Sequence, residues 1–217
     1  MNNIKHKTVL VVGGANGGGR SFVEFAAAQG AKHIVIWDLD ETGMQHLVQQ
    51  TARTDCQLHT FRVDVNNPHF VEAALEYVFG KVGGVDVLVN NVRPSTEFLN
   101  CKGLGKKMSS ALVAPMNITR AVIDNMAHLQ QASIINIVSG RNTSCPHADD
   151  NYCHSLCPLQ LWSQELSAEM QQSLPHIKVQ TLLKFHFDAS LEKSAIRTFW
   201  HQLSAQIKAV SVNPARV

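Results

Sequence analysis

The chain contains no run of roughly eighteen apolar residues, so no stretch of it reads as a helix that crosses a membrane. It also lacks an excess of charge of one sign. Nineteen Lys and Arg stand against 17 Asp and Glu, for a net charge of +2. That is too weak a field to argue for nucleic acid or an anionic membrane surface as a partner. Charged residues make up only 17% of the chain. Cysteine is sparse and unpatterned: Cys56, Cys101, Cys145, Cys153 and Cys157 are odd in number and irregular in spacing, which excludes a disulfide framework and fits a reducing compartment. Cys145, His147, Cys153, His154 and Cys157 lie close in sequence but lack the paired C-x-x-C spacing of structural zinc, so no metal is expected. There is no linker-like tract and no repeat of solenoid period. The 217 residues suffice for one sizeable core and leave too little for two comfortable domains, so one domain over 1–217 is expected. The segment Met1 to Lys7 leads into an apolar stretch that glycine breaks after a few residues, which makes neither a signal peptide nor a membrane span; a soluble cytoplasmic protein is the expectation.

Residues Thr8 to Asp40 organise what is present. Val9 to Val12 form an apolar run too short for a helix and β-branched enough for a buried parallel strand. A turn of Gly13, Gly14, Ala15, Asn16, Gly17, Gly18 and Gly19 follows, then a helical pattern from Arg20 to Gln29 that stops at Gly30. A second strand, His33 to Trp37, ends in Asp38. This βαβ unit suits a dinucleotide. Glycines allow the backbone to approach a pyrophosphate, and the helix N-terminus offers unpaired N–H groups to the phosphates. Asp38, nineteen residues after Gly19, is spaced to accept hydrogen bonds from the adenosine ribose hydroxyls. An acid there repels a 2′-phosphate, which favours NAD over NADP; Arg20 nearby is the residue that would favour a phosphate.

Strand and helix patterns then alternate. Helices are predicted at Glu41–Ala52, from Asn67-Pro68 to about Val82, at Ser109–Leu129 (crossed by Pro115), Asn151–Gln172 and Ser190–Val210. Strands are predicted at Gln57–Val63, Val85–Val89, Ser133–Val138 and Ile177–Leu183, with loops at Val92–Met108 and Arg141–Asp150. Strict alternation with short connections implies a Rossmann-like α/β fold, a doubly wound parallel sheet with helices on both faces. In such sheets ligands bind at the carboxyl ends of the strands, which makes Asp38, Asp64 and Asn91 candidates.

These residues resemble the short-chain dehydrogenase/reductase family over nearly the whole chain. Gly13, Gly17 and Gly19 match its glycine motif, and Asp64-Val65, Asn90-Asn91, Ser139 and Tyr152 match its later landmarks. The wording around Trp37-Asp38, Asp150 to Cys153 and Leu182 to Phe187 is most similar to the retinol and 17β-hydroxysteroid dehydrogenase branch. The resemblance implies a cofactor site at Gly13, Asn16, Gly17, Gly19, Asp38, Asp64, Val65 and Asn91. It implies a small alcohol or carbonyl substrate and hydride transfer to or from NAD, with Tyr152 as acid/base and Ser139 orienting the substrate oxygen. It further implies a homo-oligomer through the helices Ser109–Leu129 and Asn151–Gln172. Relatives continue into a further helix and a seventh strand, so the last strand is expected to be missing.

The departures cluster at the same place. The family's lysine, four residues after the tyrosine, is Leu156 here, and its helix asparagine is Ala111. Val12 replaces the threonine that begins the glycine motif, Arg93 a glycine, and Lys184-Phe185 a proline-glycine; Pro158 falls inside the active-site helix. An unperturbed tyrosine titrates near ~10, so about one in a thousand is phenolate at pH 7 without a cation beside it. Each unit not lowered is roughly tenfold in rate when phenolate is the base, so activity is expected to be impaired by hundreds- to thousands-fold. Reduction, in which neutral tyrosine donates, suffers less. The alternative is a dinucleotide-binding protein without catalysis, acting as a sensor or as an oligomer partner.

Overall fold

The computed structural model describes residues 4–51, 55–92, 109–139, 150–184 and 198. Strands and helices alternate in the order β1 (Thr8–Val12), α1 (Gly17–Ala28), β2 (His33–Asp38), α2 (Glu41–Thr51), β3 (Gln57–Arg62), α3 (Pro68–Tyr77), β4 (Val87–Asn90), α4 (Ala114–Met126), β5 (Ala132–Ser139), α5 (Asp150–Ser173) and β6 (Ile177–Lys184). The six strands are parallel and lie in the order β3-β2-β1-β4-β5-β6. The order reverses at β1, with β2 on one side and β4 on the other, so the crevice of a doubly wound sheet opens at the carboxyl ends of those strands.

β1 shows why its sequence is apolar without interruption. Side chains alternate between sheet faces, and here both faces are covered. Val9 and Val11 join one core with Phe22, Ala26, Ile36, Met44 and Leu47, under α1 and α2. Leu10 and Val12 join the other with Val71, Leu75, Ile118, Val122 and Leu166, under α3, α4 and α5. Phe22 and Trp37 are among the largest fully buried side chains. Burying one large aliphatic or aromatic side chain contributes roughly 1.5–3 kcal/mol.

Several boundaries differ from the sequence reading for local reasons. α1 begins at Gly17 rather than Arg20, because the glycines of the turn form its first turn. α3 ends at Tyr77 and widens into a π-helical turn over Val78–Val82, closed by Gly83 at φ 91°. A second π-helical turn over Ser109–Val113 precedes α4, whose first turn holds Pro115 where a missing N–H is harmless. α5 runs through Pro158 without a break. β4 starts at Val87, two residues late, as the Val85 amide donates instead to Asn125 Oδ1 at 2.9 Å. The loops expected at Val92–Met108 and Arg141–Asp150 and the helix at Ser190–Val210 lie outside the described residues, apart from Val92, Asp150 and Thr198.

A directional ladder of buried polar side chains links the carboxyl half of the sheet to its helices. Asn90 Nδ2 of β4 donates to Thr119 Oγ1 of α4 at 3.1 Å and to Asn136 Oδ1 of β5 at 2.8 Å. Asn136 Nδ2 donates to Ser163 Oγ of α5 at 2.7 Å, and that hydroxyl donates to the Leu159 carbonyl at 2.8 Å. All four side chains are buried. Ser163→Ala strips the acceptor from Asn136 Nδ2 and leaves a buried donor unmatched, which costs about 1–3 kcal/mol. The expected outcome is a lower urea midpoint at unchanged slope; an unmoved midpoint would show that the ladder adds nothing to stability.

Candidate functional site

The turn between β1 and α1 is braced from two sides. Gly13 adopts φ 74°, the left-handed region that glycine enters without penalty. Its amide donates to the Trp37 carbonyl at 2.7 Å, and its carbonyl accepts from Asn91 Nδ2 at 2.8 Å. A Cβ on Gly13 would run into the Asn91 carbonyl, and one on Gly19 would strike the Gly13 carbonyl and lie 2.8 Å from Asn91 Nδ2. These glycines are there so that α1 can pack directly on the turn, as close helix–strand packing requires. Asn91 is itself buried, with its amide donating to Val12 O at 2.9 Å. It supports the turn from beneath.

Asp38 is the second brace. One carboxylate oxygen, Oδ2, accepts from the Ala15 amide at 2.8 Å, and the other, Oδ1, from the Asp40 amide at 3.0 Å. An ionised carboxylate has about four lone-pair positions, of which the described residues use these two. The side chain is half-buried against the turn.

Asn16 sits at the N-cap of α1, yet its side chain makes no capping hydrogen bond. Its Nδ2 donates to Asp40 Oδ2 at 2.8 Å instead. Asp40 in turn takes the Gly43 amide on Oδ1 at 2.9 Å and so caps α2. The Asn16 side chain thus leaves uncapped the first-turn N–H groups of α1, which have no partners within the helix. Hydrogen bonds from Gly43 and then Asn16 hold the Asp40 carboxyl below its ordinary value. Arg20 is held on the flank of α1: Nε lies 3.2 Å from Glu24 Oε1, and Nη2 donates to Gln50 Oε1 of α2 at 2.8 Å.

Asp64 and Val65 follow β3, beside Asp38, whose carbonyl accepts from the Val63 amide at 3.2 Å. Asp64 Oδ1 accepts from the amide and the side chain of Asn66, both at 3.0 Å. Val65 packs half-buried on the second core. Gly13, Asn16, Gly17, Gly19, Asp38, Asp64, Val65 and Asn91 therefore gather along the carboxyl ends of β1 to β4. Ser139 ends β5 and Tyr152 lies in the first turn of α5; for these two only the backbone is described, and the loop between them lies outside the described residues. Sequence reasoning named Asn16 but passed over Asp40 and the hydrogen bond that joins the two. The available signal was an Asp directly before a helical pattern, the ordinary form of an N-cap.

The class defined by this fold and turn is the doubly wound dinucleotide-crevice protein. The model of the short chain dehydrogenase family matches residues 7–211. The chain belongs to that family, whose oxidoreductases use a nicotinamide cofactor. It is 26% identical over 194 residues to Short-chain dehydrogenase/reductase 3 of Homo sapiens, covering 86% of this chain and 63% of that protein. It is 26% identical over 161 residues to 17-beta-hydroxysteroid dehydrogenase 13 of Homo sapiens, covering 71% of this chain and 51% of that one. L-sorbose reductase from Gluconobacter frateurii, solved with NADPH and L-sorbose, has the same fold at a TM-score of 0.72 and 21% identity, over 82% of this chain and 69% of that chain. The chain spans less than two thirds of the length of these two human relatives. No helix among the described residues is long and apolar enough to cross a membrane.

The Asp40 contacts set a pH dependence with a definite sign. A carboxyl that holds its proton less tightly when folded stabilises the fold above its unfolded pKa and loses that contribution as pH falls through the lower folded value. Wild type is therefore expected to lose stability between about pH 5 and pH 2 to a greater extent than Asp40→Asn, measured as urea midpoints. Parallel curves for the two proteins would show that Asp40 carries none of the dependence.

Proposed function

We propose that this chain binds NAD(H) and interconverts an alcohol and a carbonyl compound by hydride transfer. The observation that carries the reading is the Asp38 carboxylate, which ties the glycine turn to β2 and keeps two lone-pair positions for the ribose diol. The fit extends along the crevice. First-turn amides of α1 are of the right kind for the pyrophosphate. Leu39, 54% exposed beside Asp38, and Val65 offer apolar surface of the kind an adenine ring covers.

The preference for NAD over NADP rests on charge. Two carboxylates, Asp38 and Asp40, stand close together at the end of β2, where a 2′-phosphate would meet negative charge. Arg20, the cation that would favour a 2′-phosphate, is engaged by Glu24 and Gln50. The fold neighbour solved with NADPH makes this choice a direct object of experiment.

Nicotinamide, when bound, supplies or accepts the hydride. This chain's own part is to hold the substrate oxygen at Ser139 and to exchange its proton at Tyr152. The position that would lower the tyrosine pKa is Leu156 and the relay position is Ala111, which is buried. Turnover is accordingly slow and biased towards reduction. A lipophilic substrate is in keeping with the relative named as a 17-beta-hydroxysteroid dehydrogenase. Val113 and Leu161, apolar and 45% and 60% exposed, lie on the two helical segments expected to meet a second copy. The same absence of a cation at Leu156 favours one rival reading, a dinucleotide-binding protein with no turnover.

NADH fluorescence titration is expected to saturate and to show tighter binding than NADPH, with Asp38→Ala weakening NADH at least about tenfold, the loss of one charge-assisted pair. Absence of saturable binding overturns both readings. Leu156→Lys is expected to raise kcat/KM with a panel of carbonyl substrates by on the order of a hundredfold. Binding of NADH without turnover in either protein decides for the rival.

A further inference from the structure

A pair of imidazoles stands at the opposite end of the sheet from the glycine turn. His33 opens β2, and His59 is the third residue of β3. In the parallel register His33 lies opposite Gln57 and Val35 opposite His59, so the two histidines sit diagonally on one face. Their rings meet with Nδ1 of His33 3.2 Å from Nε2 of His59 and centroids 5.4 Å apart. Behind them Tyr77 packs on His59 at 6.1 Å and on Phe61 at 4.9 Å, which fixes the His59 side chain. Both histidines are half-buried, so solvent reaches the pair.

We propose that His33 Nδ1 and His59 Nε2 form a two-imidazole seat for a borderline divalent metal ion of the Zn2+ kind. The distance is the argument. Two nitrogens 3.2 Å apart, each at about 2.0–2.1 Å from a common ion, subtend roughly 100° at that ion, close to tetrahedral. A cross-strand hydrogen bond fills the same space in the metal-free chain. On binding, the proton between the rings passes through solvent to the far nitrogen of the ring that held it, and a neutral pair releases no net proton.

The surroundings favour the ligating form. Burial, the neighbouring imidazole and Lys32 lower the pKa of His33, and burial lowers that of His59, so both rings stay neutral at pH 7. Among the described residues no third His, Cys, Asp or Glu joins them, so water completes the coordination and the site is an exchangeable one. Imidazole with water suits Zn2+, Ni2+ and Cu2+ and not Mg2+ or Ca2+. Occupancy would clip the edge strand β3 to β2, away from the nucleotide crevice.

The test is calorimetric titration of the full chain with Zn2+, beside His33→Asn and His59→Gln. Wild type is expected to bind one equivalent more than either variant, or the same site at least about tenfold more tightly. Its melting temperature is expected to rise by roughly 3–5 °C at ten times the dissociation constant, a rise absent from both variants. Equal binding in all three proteins, or none in wild type, overturns the proposal. Should the variants fold poorly, diethylpyrocarbonate labelling of wild type decides it: Zn2+, but not Mg2+, is expected to protect His33 and His59 together, and unchanged labelling overturns the site.

Discussion

The contact of the Asp38 carboxylate with the Ala15 amide is the interaction on which the site depends. It joins the residue that ends β2 to the turn that ends β1, and it does so with an acceptor that keeps spare lone pairs. Without it the turn would be held at Gly13 alone, by Asn91 Nδ2 on its carbonyl and the Trp37 carbonyl on its amide. The two braces act on opposite sides of the same few residues. Together they let the turn be glycine-rich and still ordered, although glycine loses the most backbone freedom on folding. The Asn16–Asp40 pair completes the arrangement by taking the one side chain suited to cap α1 and tying it to the cap of α2.

That arrangement presupposes a sheet buried on both faces. With β1 packed between two cores, all its side chains are buried, and a ligand can meet the strand only at its end. The polar ladder from Thr119 to Leu159 has the same logic in the other half of the sheet. Buried side-chain amides demand partners, and these find them across β4 and β5 and into α4 and α5. Such networks are worth most when every member is matched, and this one has a loose end: Asn90 Oδ1 is buried without a hydrogen-bond partner among the described residues. Its register neighbour on β1 is Val12, which offers no donor where the resembling family has a threonine.

Much of this was legible in the sequence, because strand–helix alternation is a long-range pattern repeated many times over. The turn was legible for a different reason: glycines, a strand and an acid in fixed order leave few other uses. What escaped were contacts set by side chains that read as ordinary surface. Asp40 and Asn16 are small polar residues in a loop, and only the approach of α2 to α1 makes them partners. Arg20 was legible as a cation but not as an occupied one, since Gln50 is thirty residues away along the chain. Thr119, Asn136 and Ser163 lie within apolar helix and strand patterns, where a lone polar residue gives no sign of which neighbour it meets. The π-helical turn at Ser109–Val113 likewise leaves no periodic signal, being a shift of one residue in the hydrogen-bond pattern.

The two halves of the crevice have diverged differently. On the β2 and β3 side the glycines, Asp38 and Asp64-Val65 match the family's pattern, and the glycine turn is bonded to the end of β2 through Asp38 and Trp37. On the β4, β5 and β6 side Val12 of β1 is the register neighbour of Asn90, Lys184 ends β6, and Ala111 and Leu156 stand at the positions where the resemblance implies a relay asparagine and a lysine. Binding energy for a dinucleotide comes largely from its adenosine and pyrophosphate, whereas rate comes from groups that act on the developing charge at the reacting atoms. Under the proposed function, a chain that keeps the first set and changes the second would retain affinity for the cofactor while shedding rate. A defect in the fold would instead have disturbed the Gly13–Asn91 and Asp38–Ala15 braces, which the same sheet positions.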